Sequence, residues 1–215
     1  MTNKTYFPSK RSNIDSFHVM QLLYNANRLE ANGKKIFHLE LGEPQPKTPL
    51  NVKKEASRLS KLPLPGYTPS NGIESLRQKL SAYYKSHYDL EINSDRIFIT
   101  TGSSGAFLLT FLACFEAGAR VAIFNPVYPA YRNILKSLNI EVVEIYPKKN
   151  SIDKIDPYLI SKEKINGLII SNPNNPNGQK YTTQELSFIY NYCKSNNIVL
   201  IADEIYHGIE FDNKS

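Results

Sequence analysis

Ser171 to Gly178 reads Ser-Asn-Pro-Asn-Asn-Pro-Asn-Gly, and few folds tolerate such a stretch in the middle of a chain. It follows Leu168-Ile169-Ile170, an apolar run of the size and composition of a buried strand. The strand cannot continue, because Pro173 and Pro176 lack an N–H and the asparagines and glycine accept left-handed backbone. The chain therefore leaves a sheet and holds several amide side chains in a stiff loop. Thr182-Thr183-Gln184-Glu185 has the form of a capping box, and Leu186, Ile189, Tyr190 and Cys193 then fall on one helical face. Ile198-Val199-Leu200-Ile201-Ala202 is a second buried run, and it ends in Asp203. A strand–loop–helix–strand unit of this kind predicts parallel strands joined by a right-handed crossover. Ligands in such sheets sit beyond the carboxyl ends of the strands, where Asn175 and Asp203 would both be placed.

The rest of the chain repeats the pattern. Residues 1–14 read as a polar arm. Phe17, Met20, Leu23, Ala26 and Leu29 recur at helical spacing until Asn32-Gly33 stops them. Ile36 to Leu39 reads as a short strand, leading into Leu41-Gly42-Glu43-Pro44, where Pro and Gly force an irregular turn. That turn is as consistent with a linker as with a loop facing substrate. Gly66-Tyr67-Thr68-Pro69 is a stiff loop able to present a phenol. Asn71 and Glu74 are placed to cap a helix with Ile73, Leu76, Leu80 and Tyr83 on its buried face. Arg96 to Thr100 reads as a strand that turns through Thr101-Gly102-Ser103-Ser104-Gly105 into an apolar helix starting near Ala106. Small residues there let free backbone N–H groups and two hydroxyls converge on an anion. The turn matches neither the P-loop nor the dinucleotide fingerprint. Val121 to Phe124 reads as a strand ending in Asn125-Pro126-Val127-Tyr128-Pro129. Tyr131 to Leu138 reads as a helix, Glu141 to Ile145 as a strand, and Ser151 to Ser161 as weakly helical. The expected fold is one doubly wound α/β domain with a mostly parallel sheet, its polar residues gathered along one edge.

Composition excludes several alternatives. A charge of +6 is compatible with an anionic partner, but the lysines are scattered and no basic–aromatic stripe or recognition module appears, which argues against nucleic acid. The four histidines lack metal-ligand spacing. Cys114 and Cys193 sit in apolar helical contexts and suit buried thiols in a reducing compartment. The N-terminus has no apolar signal core, and the longest apolar run is too short to span a bilayer, so no membrane role and a cytoplasmic location are expected.

The strand-end set comprises an anion-binding turn, an aromatic plate, an amide, a carboxylate and phenols. A carboxylate there asks for a protonated nitrogen, the amide and phenol for an oxyanion, and the plate for a flat ring. Pyridoxal 5′-phosphate meets all of these demands. The motifs Leu41 to Pro44, Gly66 to Gly72, Thr101 to Gly105, Asn125 to Pro129, Asn174 to Gly178 and Ala202 to Tyr206 resemble, in order, those of the class I/II aminotransferases of fold type I.

The resemblance implies a large domain over 46–215, incomplete at its C-terminus, with 1–45 as an arm and segment of the small domain. Gly102, Ser103 and Ser104 would hold the cofactor phosphate, joined by Tyr67 from the partner subunit of a homodimer. Tyr128 would stack on the ring, and Asn175 and Tyr206 would donate to its oxygen. Asp203 would pair with the ring nitrogen and raise its pKa, making Asp203 and Tyr206 the catalytic side chains of this portion. Gly42 and Asn175 would lie beside the substrate. The implied reaction is ping-pong transamination between an amino acid and a 2-oxo acid. A lyase or synthase on the same fold, or a non-catalytic ligand-binding module, are the alternatives. Asn177 stands where the family usually has Thr, in a position that shapes the loop. The family's Schiff-base lysine and carboxylate-binding arginine would lie past Ser215, so the 215-residue chain by itself is expected to be inactive and poorly soluble.

Overall fold

Four parallel strands lie side by side in the order β2-β1-β3-β4, with β1 at Arg120–Phe124, β2 at Glu141–Ile145, β3 at Gly167–Ser171 and β4 at Val199–Asp203. The computed structural model describes residues 7–42, 47–63, 66–147 and 156–209. Register is fixed by pairs such as Val121↔Gly167, Leu168↔Leu200 and Ser171↔Asp203. Because successive side chains in a strand point to opposite faces, each strand supplies two cores. One face carries Ala122, Phe124, Val143, Ile145, Leu168 and Ile170, covered by Ile189 and Cys193 of α6 (Thr183–Ser195) and by Ile160. The other carries Val121, Ile123 and Ile169. Over it lie Phe107 and Phe111 of α4 (Gly102–Cys114), and Tyr131 and Leu135 of α5 (Pro129–Ser137). Helices on both faces explain why β3 is buried at every residue and reads as a continuous apolar run.

Local chemistry sets the helix starts. Pro129 opens α5, where a missing N–H costs nothing. The expected capping box opens α6: the Glu185 N–H donates to Thr182 Oγ1 at 3.2 Å, and the Thr182 N–H donates to Glu185 Oε2 at 2.8 Å. Gly167 is required by packing, since a Cβ there would come within 2.3 Å of the Phe115 ring.

The chain divides into two compact units, Met1–Phe17 with Ser103–Ser215, and His18–Gly102. The second contains α1 (His18–Ala31), α2 (Leu50–Leu59) and α3 (Glu74–Tyr88). Here the structure corrects several sequence expectations. Residues 36–39 form no strand, and Ser94–Arg96 is a 3-10 turn followed by irregular chain rather than a strand. No described strand pairs with this segment; Ile99 instead donates its N–H to the Asn71 carbonyl at 3.1 Å. The expected buried face of α3 is found only in part: Leu80 is half-buried, Ile73, Leu76 and Tyr83 are exposed, and the fully buried residue is Arg77. Its guanidinium donates to the Ser94 carbonyl at 2.8 Å and the Gly72 carbonyl at 3.3 Å, so it clasps the turns flanking the helix. Neither Asn71 nor Glu74 caps α3; Ile73 is the N-cap residue and makes no side-chain cap. In the sheet unit, α4 begins at Gly102 rather than near Ala106, Tyr190 of α6 is exposed, and of the two cysteines only Cys193 is buried. The readings of 1–6, Glu43-Pro44 and 148–155 fall outside the described residues.

Candidate active site

Parallel pairing places the carboxyl ends of β1, β3 and β4 on one edge of the sheet, and the chain bends sharply at each of them. The loops that leave these strands are laced together by their own amides. The Asn172 N–H donates to the Asp203 carbonyl at 2.9 Å, and the Asn172 side-chain oxygen accepts from the Tyr181 N–H at 3.0 Å. Asn174 is almost fully buried and donates from Nδ2 to the Pro126 carbonyl at 3.0 Å and to Asn177 Oδ1 at 2.7 Å. Asn174 thus joins the loop carrying Asn175 to the loop carrying Tyr128. The sequence reading assigned no such role to it, since one of several asparagines in a loop does not show which amide turns inward. Asn177, the departure from the family pattern, also accepts from the Gln179 N–H at 3.1 Å, in keeping with a loop-shaping role.

Asp203 closes β4 with only 8% of its surface exposed. One carboxylate oxygen, Oδ1, accepts from the Ile205 N–H at 3.0 Å; the other, Oδ2, accepts from the Tyr131 hydroxyl. Tyr131 is fully buried, and sequence reasoning treated it as nothing more than the start of a helix. Burial and then the adjoining Asp203 carboxylate push its ionisation well above the ordinary phenol value, so it stays a protonated donor. A signal was available: a tyrosine on the apolar stripe of a helix has a hydroxyl that must find a partner in the core.

Tyr128 stands at the N-cap of α5, and its ring meets two others edge-on. Phe17 lies 5.9 Å away at 75° and Tyr131 lies 5.6 Å away at 81°, contacts that set the plane of the Tyr128 ring. Phe107, in the second turn of α4, packs 4.9 Å from Tyr131, whereas Phe115, just past the C-terminal end of that helix, lies over Gly167 and Val121 at the strand beginnings. α4 therefore runs antiparallel to the strands. Its first turn faces the carboxyl edge with Ser103 and Ser104 exposed, while the Gly102 N–H donates to the Thr100 carbonyl at 2.9 Å.

Asn175 and Tyr206 are half-buried on the loops after β3 and β4, and neither side chain has a hydrogen-bond partner among the described residues. Both oxygens of the Asp203 carboxylate are engaged, whereas these two donors are not. On the β1 and β2 side of the sheet, Arg132 donates to Glu144 at 2.7 Å and to Asn125 Oδ1 at 3.1 Å. Arg132 chiefly, with Tyr146 and Asn125, pulls the Glu144 carboxyl down to about 2 against the opposing effect of burial. Gly42 and Tyr67 belong to the His18–Gly102 unit, where Gly42 has open space around it and the Tyr67 side chain is fully exposed.

The family model described as aminotransferase class I and II matches residues 34–215. The valine–pyruvate aminotransferase of Mycobacterium tuberculosis is 36% identical over 209 residues, covering 94% of this chain and 52% of that protein. The aspartate aminotransferase of Thermotoga maritima is 30% identical over 208 residues, covering 94% of this chain and 55% of its own length. A crystal structure of an aminotransferase from M. tuberculosis superposes with a TM-score of 0.88 at 35% identity, covering 95% of this chain and 53% of the other. The chain belongs to the class I and II aminotransferases, a generally pyridoxal-phosphate-dependent family with the fold type I α/β architecture, and it spans about half the length of the curated relatives it matches. Among the described residues no helix is long and apolar enough to cross a membrane.

Proposed function

We propose that the protein carrying this chain moves an amine from an amino acid to a 2-oxo acid, in two half-reactions, using pyridoxal 5′-phosphate bound at the carboxyl edge of the sheet. The observation that carries this reading is the buried Asp203 carboxylate, anchored at both oxygens beside loops that offer the unpaired donors of Asn175 and Tyr206. The donor set fits the cofactor. A buried anion suits a protonated ring nitrogen, an amide and a phenol suit the ring oxygen, and hydroxyls at a helix start suit a phosphate.

When bound, the cofactor supplies an electron sink for the carbon that loses its proton. Asp203 would pair with the ring nitrogen, Asn175 and Tyr206 would donate to the ring oxygen, and Tyr128 would hold the ring. The first turn of α4, with Gly102, Ser103 and Ser104, would hold the phosphate. Tyr67, fully exposed on its own chain, would reach the phosphate of a partner subunit in a homodimer. Gly42 would border the substrate carboxylate. Residues 46–215 would form the cofactor-binding domain and 1–45 an arm and part of a smaller one. Transfer in the cytoplasm, where Cys114 and Cys193 stay as thiols, completes the reading. The relatives' names span valine, pyruvate and aspartate, so the substrates are given as a class.

The test is the amino-acid half-reaction in the intact protein loaded with pyridoxal 5′-phosphate, followed by the visible absorption band and by the 2-oxo acid released. Asp203→Ala should slow that half-reaction by about 10²–10³-fold, the cost of losing one preorganised electrostatic partner. Turnover within a few-fold of the unaltered protein would sink the assignment.

A further inference from the structure

Asp203 can counter a protonated ring nitrogen only while it stays an anion, and each of its oxygens is held by a donor from the chain around it. It is nearly buried, and the aromatic rings of Tyr131, Tyr128, Phe107 and Phe17 crowd its side of the sheet. A carboxylate in such a place tends to take up a proton unless donors hold its charge. The Ile205 N–H serves one oxygen at 3.0 Å. The other is served by the Tyr131 hydroxyl, carried on a different element and itself fully buried. Edge-on contacts with Phe107 at 4.9 Å and Tyr128 at 5.6 Å hold the Tyr131 ring. The hydroxyl is thus aimed at Asp203 by packing against the ring that would face the cofactor.

We propose that Tyr131 is a positioning residue for the reaction: its buried hydroxyl holds Asp203 anionic and correctly turned, so that the proton shared with the cofactor stays on the ring nitrogen. This rests on the reading that Asp203 faces that nitrogen. Without the hydroxyl, Oδ2 would lose the donor that the structure gives it, and the proton would move from the ring nitrogen toward Asp203. The total proton count would not change; only its seat would.

The experiment uses the intact protein reconstituted with pyridoxal 5′-phosphate carrying 15N in the ring, with the nitrogen resonance recorded for the unaltered protein, Tyr131→Phe and Asp203→Ala. Tyr131→Phe keeps the ring and its contacts, and should displace the resonance toward the unprotonated position. It should also lower kcat of the half-reaction by about tenfold, the loss expected for one hydrogen bond to a charged group, with KM within about twofold. A purely structural role would lower the melting temperature without moving the resonance, and that outcome overturns the proposal. Asp203→Ala separates the two layers. If it leaves the resonance unmoved, the cofactor reading itself fails; if it moves the resonance and Tyr131→Phe does not, only the role of Tyr131 fails. Should Tyr131→Phe not fold, 3-fluorotyrosine at 131 retains the shape and the hydroxyl but makes it a stronger donor. A displaced resonance is then expected, and an unmoved one overturns the proposal.

Discussion

The sheet unit and the His18–Gly102 unit both carry many apolar residues and use them differently. The sheet unit buries whole strands between two layers of helices, and Phe111, Ile123, Leu135, Leu168, Ile169 and Ile189 are completely covered. In the other unit α1 and α2 have no buried residue, and α3 buries only an arginine. Met20, Leu50, Leu59, Ile73 and Leu76 stay about half exposed or more. A period of apolar residues therefore tells which face of a helix seeks cover, and says nothing about whether the same stretch of chain supplies it. The candidate site follows the same division. Tyr128, Asn175, Asp203 and Tyr206 stand on the unit with the closed core, where loops inherit the rigidity of the strands that carry them.

Point substitutions test the difference between the two units. The largest effect is expected in the core: Phe111→Ala should cost about 3–5 kcal/mol, because its ring is fully enclosed between Phe107, Phe115 and the sheet. Equilibrium urea unfolding measures it, and a loss below about 1 kcal/mol would mean that this core is looser than its burial indicates.

An intermediate effect is expected at the polar cluster on the β1 and β2 side of the sheet. Arg132→Met should cost about 0.5–1 kcal/mol near neutral pH, the range for a partly exposed ion pair. Its pH dependence has a definite sign. The Glu144 carboxyl is lowered in the folded protein from an ordinary 4.5 to about 2, so the pair stabilises fully above the unfolded value and fades as pH falls through the folded one. The gap between the unaltered protein and Arg132→Met should therefore close between about pH 4.5 and pH 2. A gap that stayed constant to the acid limit would show that Arg132 acts through packing instead.

The smallest effect is expected in the helical unit. Leu59→Ala on α2 should change stability by no more than about 0.5 kcal/mol, since half of that side chain is already in water. A loss approaching that of Phe111→Ala would show that the face is covered in solution, and the contrast between the two units would collapse.

Legibility in the sequence tracked locality. The strands Val121 to Phe124, Glu141 to Ile145, Leu168 to Ile170 and Val199 to Ala202 were readable, because buried parallel strands are continuous apolar runs bounded by breakers. The capping box at Thr182 was readable for the same reason, since its partners lie three residues apart. The segment from Arg96 to Thr100 misled because it has the composition of a strand, whereas a strand also needs a neighbour to receive its N–H and C=O groups, and the described residues supply none. The buried face of α3 misled in another way. Arg77 is hidden because its guanidinium finds carbonyls at Gly72 and Ser94, which no helical period announces.

The amino-acid sequence by itself determined the parallel α/β plan, the breaks at the strand ends and the family, because these depend on runs, periods and motifs contiguous along the chain. Only the tertiary structure decided that Asn174 would tie one loop to another and that Tyr131, 72 positions before Asp203, would hold its carboxylate. Both are contacts between residues far apart in sequence. Such contacts are set by strand register and helix packing, which a pattern along one dimension does not contain.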